Sequence, residues 1–147
     1  MRRLSLLLFL LLFSLSACAP EASPREKLSE FANANCASGV IYSTEIPEGE
    51  EGYISPVMER LIFGQSDVGA TYAILLNSHI DSPAECGAFL IEGNRDELIG
   101  LVKSRMNLLD PGQERSFMAI YGDILFYSTL ADRERARELS DIVFGRS

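Results

Sequence analysis

The sequence predicts an α+β fold, an antiparallel sheet with helices packed on one face, and three observations predict it. The second half reads strand, strand, helix and then again strand, strand, helix, an order ββα-ββα. Gly122-Asp123 joins two apolar runs, Ser116–Tyr121 and Ile124–Thr129, at the spacing of a two-residue hairpin. Leu98, Ile99, Val102, Met106 and Leu109 recur at i, i+3 and i+4, the stripe of an amphipathic helix. With 147 residues the chain suits one domain, over residues 26–147 once the N-terminal segments are set aside.

The elements follow in order. PREKLSEFANAN, Pro24–Asn35, predicts a helix with Leu28, Phe31 and Ala32 on one side, ended by Asn35 and Gly39. VIYSTEI, Val40–Ile46, predicts a strand, and the Pro, Gly and Glu content of Pro47–Gly52 a loop. Ser55 is placed to cap a helix from Pro56 to Phe63 that Gly64 ends, with Val57, Leu61 and Ile62 inward. ATYAILLN, Ala70–Asn77, predicts a buried strand, and a polar connection, Ser78–Glu85, leads to the next, Cys86–Glu92. Asn94 caps the amphipathic helix from Arg95, and Asp110-Pro111-Gly112 stops it. After the hairpin, Asp132–Phe144 predicts a last helix with Ala136, Leu139 and Val143 on one side. Phe89, Ile99, Val102 and Met106 align with Phe126, Ala136, Leu139 and Val143 at a constant offset of 37, which raises the question of an internal duplication.

The N-terminus reads as an address. Arg2 and Arg3 precede an apolar run, Leu4–Leu15, and then small residues, the shape of a secretory signal over residues 1–17. The run is shorter than the ~20 residues a spanning helix needs. Leu15-Ser16-Ala17-Cys18 resembles a bacterial lipobox. That resemblance implies cleavage before Cys18 and lipid attached to its thiol, the natural nucleophile for alkylation. Two or more acyl chains on one residue give stable anchoring, where a single chain binds marginally. Residues 18–25 then form the lipidated cysteine and a short tether. Ala19 is not the Asp that holds lipoproteins in an inner membrane, so with two membranes the outer one is expected.

Excluding residues 1–17 leaves 11 basic against 21 acidic residues, a net charge of −10. An acidic surface repels phosphates, so nucleic acid is not an expected partner. Two cysteines remain, Cys36 and Cys86, and outside the cytoplasm such a pair is expected to be a disulfide. Its loop of roughly 51 residues would contribute about 4 kcal/mol in the chain-entropy treatment. No CxxC is present and the only histidine is His79, so neither a metal nor another cofactor is expected.

LIFGQSD (Leu61–Asp67), ECGAFLIEG (Glu85–Gly93) and YGDILFYSTLADRERARELSDIVF (Tyr121–Phe144) resemble a family of small bacterial lipoproteins known only as a domain of unknown function. The resemblance spans roughly residues 55–145. It implies a lipobox, a Gly-x-Phe strand before a charged helix, and a hairpin before a final helix. It supplies no catalytic residues, and it does not imply a disulfide.

Chemistry-bearing residues are few. His79 and Asp81 beside Ser78 and Ser82 invite a hydrolase reading, but no GxSxG elbow is present and triad members normally come from separate elements. Glu45, Glu48, Glu50 and Glu51 lack the ligand spacing of a calcium loop. A catalytic Cys86 would need His79 close by to lower its pKa. Arg133, Arg135 and Arg137 interleave with Asp132, Glu134 and Glu138 and read as a self-neutralised face. Tyr72, Phe89, Phe117, Tyr121, Phe126 and Tyr127 fall on both faces of their strands, so either both faces are covered or an aromatic surface is open to a partner. The expected function is a lipid-anchored, extracytoplasmic binding module of the cell envelope without catalytic activity, its partner an envelope protein or an apolar ligand. The alternatives are an envelope hydrolase or thiol enzyme using His79, and an assembly factor for an envelope complex.

Overall fold

The computed structural model describes residues 23–77 and 84–145. Its elements run α1 (Pro24–Ala34), β1 (Val40–Ser43), α2 (Pro56–Phe63), β2 (Tyr72–Leu76), β3 (Glu85–Leu90), α3 (Arg95–Leu109), β4 (Phe117–Tyr121), β5 (Ile124–Ser128) and α4 (Arg133–Phe144). The five strands form one antiparallel sheet in the order β1-β2-β3-β5-β4. The fold is α+β with the ββα-ββα second half, as the sequence predicts.

Local chemistry places the ends of each helix. Ser23 Oγ accepts the Glu26 N–H at 3.1 Å, Ser55 Oγ that of Met58, Asn94 Oδ1 those of Asp96 and Glu97, and Asp132 Oδ1 that of Arg135. Pro24 and Pro56 sit at first helical positions, where a missing N–H costs nothing. Lys27 Nζ donates to the Val143 carbonyl at 2.7 Å, so a cation from α1 meets the negative end of α4. Gly122, at φ 58°, is the first residue of the β4–β5 turn, and Asp123 does not share the positive φ, so the turn is of the type II′ class. β1 stops at Ser43, short of the predicted Ile46. Ser43 Oγ and the Thr44 N–H both donate to the Tyr72 carbonyl, and Thr44 Oγ1 accepts the Tyr72 N–H, so side-chain hydroxyls share the bonding with the main chain there.

Alternation along the strands builds two cores. Ala73, Leu75, Cys86, Ala88, Phe117 and Phe126 pack with Leu28, Phe31, Ala136, Val143 and Phe144 of α1 and α4. Tyr72, Ile74, Phe89, Leu125 and Tyr127 pack with Ile62 of α2 and Leu98, Val102 and Met106 of α3. Helices therefore cover both faces, where the sequence suggested one, because the central strands are apolar on both sides. The aromatic residues are spent in this packing: Tyr72, Phe89, Phe126 and Tyr127 are wholly buried. An open aromatic sheet face, the expected surface for an apolar ligand, is not formed by them. The offset of 37 does not describe a structural repeat either, since Phe89 and α3 lie on one face and Phe126 and α4 on the other. Helix α2 is also turned from its predicted face: Val57 and Leu61 are exposed. Its inner side carries Glu59, whose carboxylate accepts the Tyr72 hydroxyl and the Asp67 N–H, both at 2.7 Å.

Candidate functional site

The most densely bonded polar group in the interior is Glu85, at the start of β3 and 3% exposed. Arg105 of α3 grips it in two places, Nε to Oε1 at 2.8 Å and Nη2 to Oε2 at 2.7 Å. The Tyr127 hydroxyl donates to Oε1 at 2.6 Å, and Arg105 Nη1 donates to the Ile62 carbonyl at 3.2 Å. Burial and the neighbouring carboxylate push the Tyr127 hydroxyl well above the ordinary tyrosine range. Every oxygen of this carboxylate is occupied from within the fold. The group fastens α3 to the sheet and, 3% exposed, is shut off from any substrate in solvent. Glu59 and Tyr72 are tied in the same way, burial and Glu59 raising the Tyr72 hydroxyl.

Cys18, His79, Asp81, Ser78 and Ser82 lie outside the described residues. The Cys36–Cys86 bridge is not formed; both are free thiols. Cys36 is exposed just past the end of α1, at φ 52°, while Cys86 points into the core between the sheet and α1. There Ala37 N–H returns to Ala32 O, which closes the helix end as a Schellman turn and sets the direction of Cys36 by backbone bonding. Burial, and then the Glu85 charge, push the Cys86 thiol far up, the opposite of what a nucleophile needs. Glu45 accepts the Arg25 N–H at 2.9 Å and so serves the entry to α1. Among the described residues no cluster of His, Cys, Asp and Glu has the makings of a metal site.

Two sizeable hollows flank α3. One, of about 340 Å³ at its N-terminal end, contains Asp67, Glu92 and Glu97. Its acids are partly committed: Glu92 Oε2 accepts from the Thr71 N–H and hydroxyl, and Asp67 Oδ1 from the Gly69 N–H. The other, of about 470 Å³, opens beside β4 and is lined by Lys103, Arg133, Arg137, Phe117 and Met118 among others, with no acidic residue in its wall.

This second groove has a simple construction. β4 is an edge strand. Lys103, Met106 and Asn107 share one side of α3 at i, i+3 and i+4, and Arg133 and Arg137 share one side of α4 at i and i+4. The two helices lie on opposite faces of the sheet, so their cations converge on its edge from both sides. The ion pairs among the described residues are Glu85–Arg105 and Asp110–Arg115. Lys103, Arg133 and Arg137 take part in neither. On α4, Arg133 and Arg137 line the groove, with Asp141 one turn beyond Arg137 bonded to the Tyr121 hydroxyl, and Arg135 reaches the Ala34 carbonyl. The signal was present in the spacing. Arg133 and Arg137, four apart, share one side of the helix, as do Arg137 and Asp141.

Compared with protein-family models, with curated proteins and with solved structures, the chain finds no match.

Proposed function

We propose that this chain is a lipid-anchored, extracytoplasmic domain of the bacterial cell envelope that binds a protein partner through the groove beside β4 and performs no covalent chemistry. The observation that carries the binding reading is the groove itself, three cations with no anion in its wall, in a chain of net charge −8. Local charge opposed to the molecular average steers a complementary partner to one place. The anchoring reading is supported by Leu15-Ser16-Ala17-Cys18 and the resemblance it carries. The thiol-enzyme alternative has little support in Cys86, a buried thiol with a raised pKa.

The experiment uses photo-crosslinking groups in intact cells, one at Asn107 in the groove and one at Glu30, exposed on α1 and outside the groove. The expected result is a discrete protein adduct from Asn107 alone, lost when Lys103, Arg133 and Arg137 are all changed to Glu. No adduct, or one indifferent to those charges, overturns the binding reading. Cys18→Ser should abolish incorporation of labelled palmitate and release the chain from the membrane fraction; retained label overturns the anchor. An unchanged phenotype for His79→Ala is expected, and a lost function there would favour the hydrolase reading.

A further inference from the structure

The groove does not stand alone: it runs along the open edge of the sheet. In the β4–β5 hairpin, Tyr121 and Ile124 face each other across a two-residue turn, which makes them a hydrogen-bonded pair. Bonding then alternates, so Ala119 and Phe117 bond to β5, while the N–H and C=O groups of Met118 and Ile120 point away from the sheet. Outside the β4–β5 ladder these groups make no backbone bond among the described residues. The strand is FMAIY, apolar throughout, without the proline, charge or bulge that ordinarily guards an edge. The opposite edge is different: β1 is short, and Ser43 is bridged to Tyr53.

We infer that β4 takes an extended, acidic segment of the partner as a sixth strand. This deepens the binding reading and rests on it. Met118 and Ile120 offer two donors and two acceptors, enough for about four main-chain bonds to an added strand. Side chains of an added strand alternate between faces. Those on one face meet Lys103 and Met106, those on the other Arg133 and Arg137, so acidic residues find cations at either phase. A second copy of this chain fits less well. Pairing β4 with β4 would bring six cations together along one seam with no anion in either wall. A polyanion without a peptide backbone would satisfy the charges and leave the four main-chain groups unused.

The test titrates the purified full chain with a fluorescein-labelled hexapeptide of alternating Glu and Val and follows anisotropy. Binding is expected, with at least a tenfold loss for a Lys-Val peptide of the same length. Changing Lys103, Arg133 and Arg137 to Glu should cause a similar loss. A probe N-methylated at every residue should also lose at least tenfold, since it keeps every charge and lacks the donors in either phase. If this methylated probe binds like the parent, attraction is by charge alone and strand addition is overturned. Tighter binding of a single-stranded oligonucleotide than of the peptide also overturns it, as does dimerisation of the chain that the Glu substitutions abolish or enhance. Failure of the peptide with adducts still forming at Asn107 removes strand addition and leaves the binding reading intact; loss of those adducts removes both.

Discussion

Replacing Arg105 by Met should cost the domain about 3–5 kcal/mol, the usual penalty for leaving a buried charge without its partner. The structure gives the reasons for that magnitude. Glu85 is 3% exposed and receives three side-chain hydrogen bonds, of which two come from Arg105. Met keeps the length and apolar stem of Arg but donates nothing, so one carboxylate oxygen is left without a donor and the other keeps only Tyr127. The reverse substitution is milder. Arg105 is 14% exposed and retains the Ile62 carbonyl, so Glu85→Gln should cost only about 1–2 kcal/mol, near the scale of one lost charged hydrogen bond. Changing both residues, Glu85→Leu with Arg105→Met, removes the charge and its partner together and should recover most of the loss, to within about 2 kcal/mol of the parent. The assay is urea unfolding followed by circular dichroism and tyrosine fluorescence, since the chain has no tryptophan. A coupling energy of at least 2 kcal/mol, in the cycle of Arg105→Met, Glu85→Leu alone and the two together, is the expected outcome. A loss below 1 kcal/mol for Arg105→Met, or a double variant equal to the sum of the singles, would refute a desolvated, mutually dependent pair.

Three further outcomes follow from individual positions. Gly87→Ala places a Cβ 2.5 Å from Tyr127 Cε1 and 3.0 Å from Ile74 Cγ2, and should destabilise by about 1–3 kcal/mol, measured in the same urea assay. Cys36→Gly relieves a left-handed residue at the end of α1 and should raise stability by about 0.5–1 kcal/mol; a loss of several kcal/mol would mean that Cys36 is bridged to Cys86 after all. Of Cys36 and Cys86, a thiol reagent should modify only Cys36 in the native state, with Cys86 reacting only on unfolding. Tyr121 is pushed up to about 12 by burial and its bond to Asp141, and Tyr72 and Tyr127 stand higher still. Raised folded-state values favour the neutral form, so this stability is complete below pH 10 and is lost as pH rises towards 12. Ultraviolet titration should show these three of the five tyrosines ionising together with unfolding rather than before it.

The parts of the fold that are readable from sequence are those encoded within a dozen residues. Ser55, Asn94 and Gly122-Asp123 declare a cap, a cap and a turn because the groups they bond are two or three positions away. What one face of a strand touches is decided elsewhere in the chain. Ala73 and Ile74 look alike in sequence, yet they serve cores closed by helices some sixty and thirty residues further on. The burial of Phe126 between Phe31 and Phe144 depends on segments from both ends of the domain. The α2 error has the same origin. Glu59 reads as a surface residue until the Tyr72 hydroxyl and Asp67 N–H are brought to it, and satisfying a buried carboxylate decides which way the helix turns. The groove is the extreme case, since residues 103–107, 113–118 and 133–137 meet only when two helices on opposite faces reach the same edge. Its arginine spacing was visible; its third cation and its open strand were not.

The register of the sheet bears on how an anchored domain would present this groove. Arg25, at the start of α1, bonds Glu45 just past the Ser43 end of β1. Ser43 pairs with Ala73, Ala73 with Ala88, Ala88 with Phe126 and Phe126 with Ala119, so one row of residues crosses the whole sheet. The groove lies around Phe117 and Met118, at the far end of that row and towards the opposite end of the strands. Four strand spacings, about 19 Å, therefore separate the chain's entry from the groove across the sheet alone. If Cys18 carries lipid, the five residues up to Ser23 span at most about 18 Å in any conformation, which keeps the entry corner near the bilayer. An acidic domain is repelled by anionic headgroups and turns the rest of its surface outward. The cationic edge, which would otherwise be drawn to the same headgroups, sits at the corner of the sheet diagonally opposite the tether. With such an anchor, a strand-accepting edge at that corner would be open to a partner in the surrounding compartment, and the membrane would not compete for it.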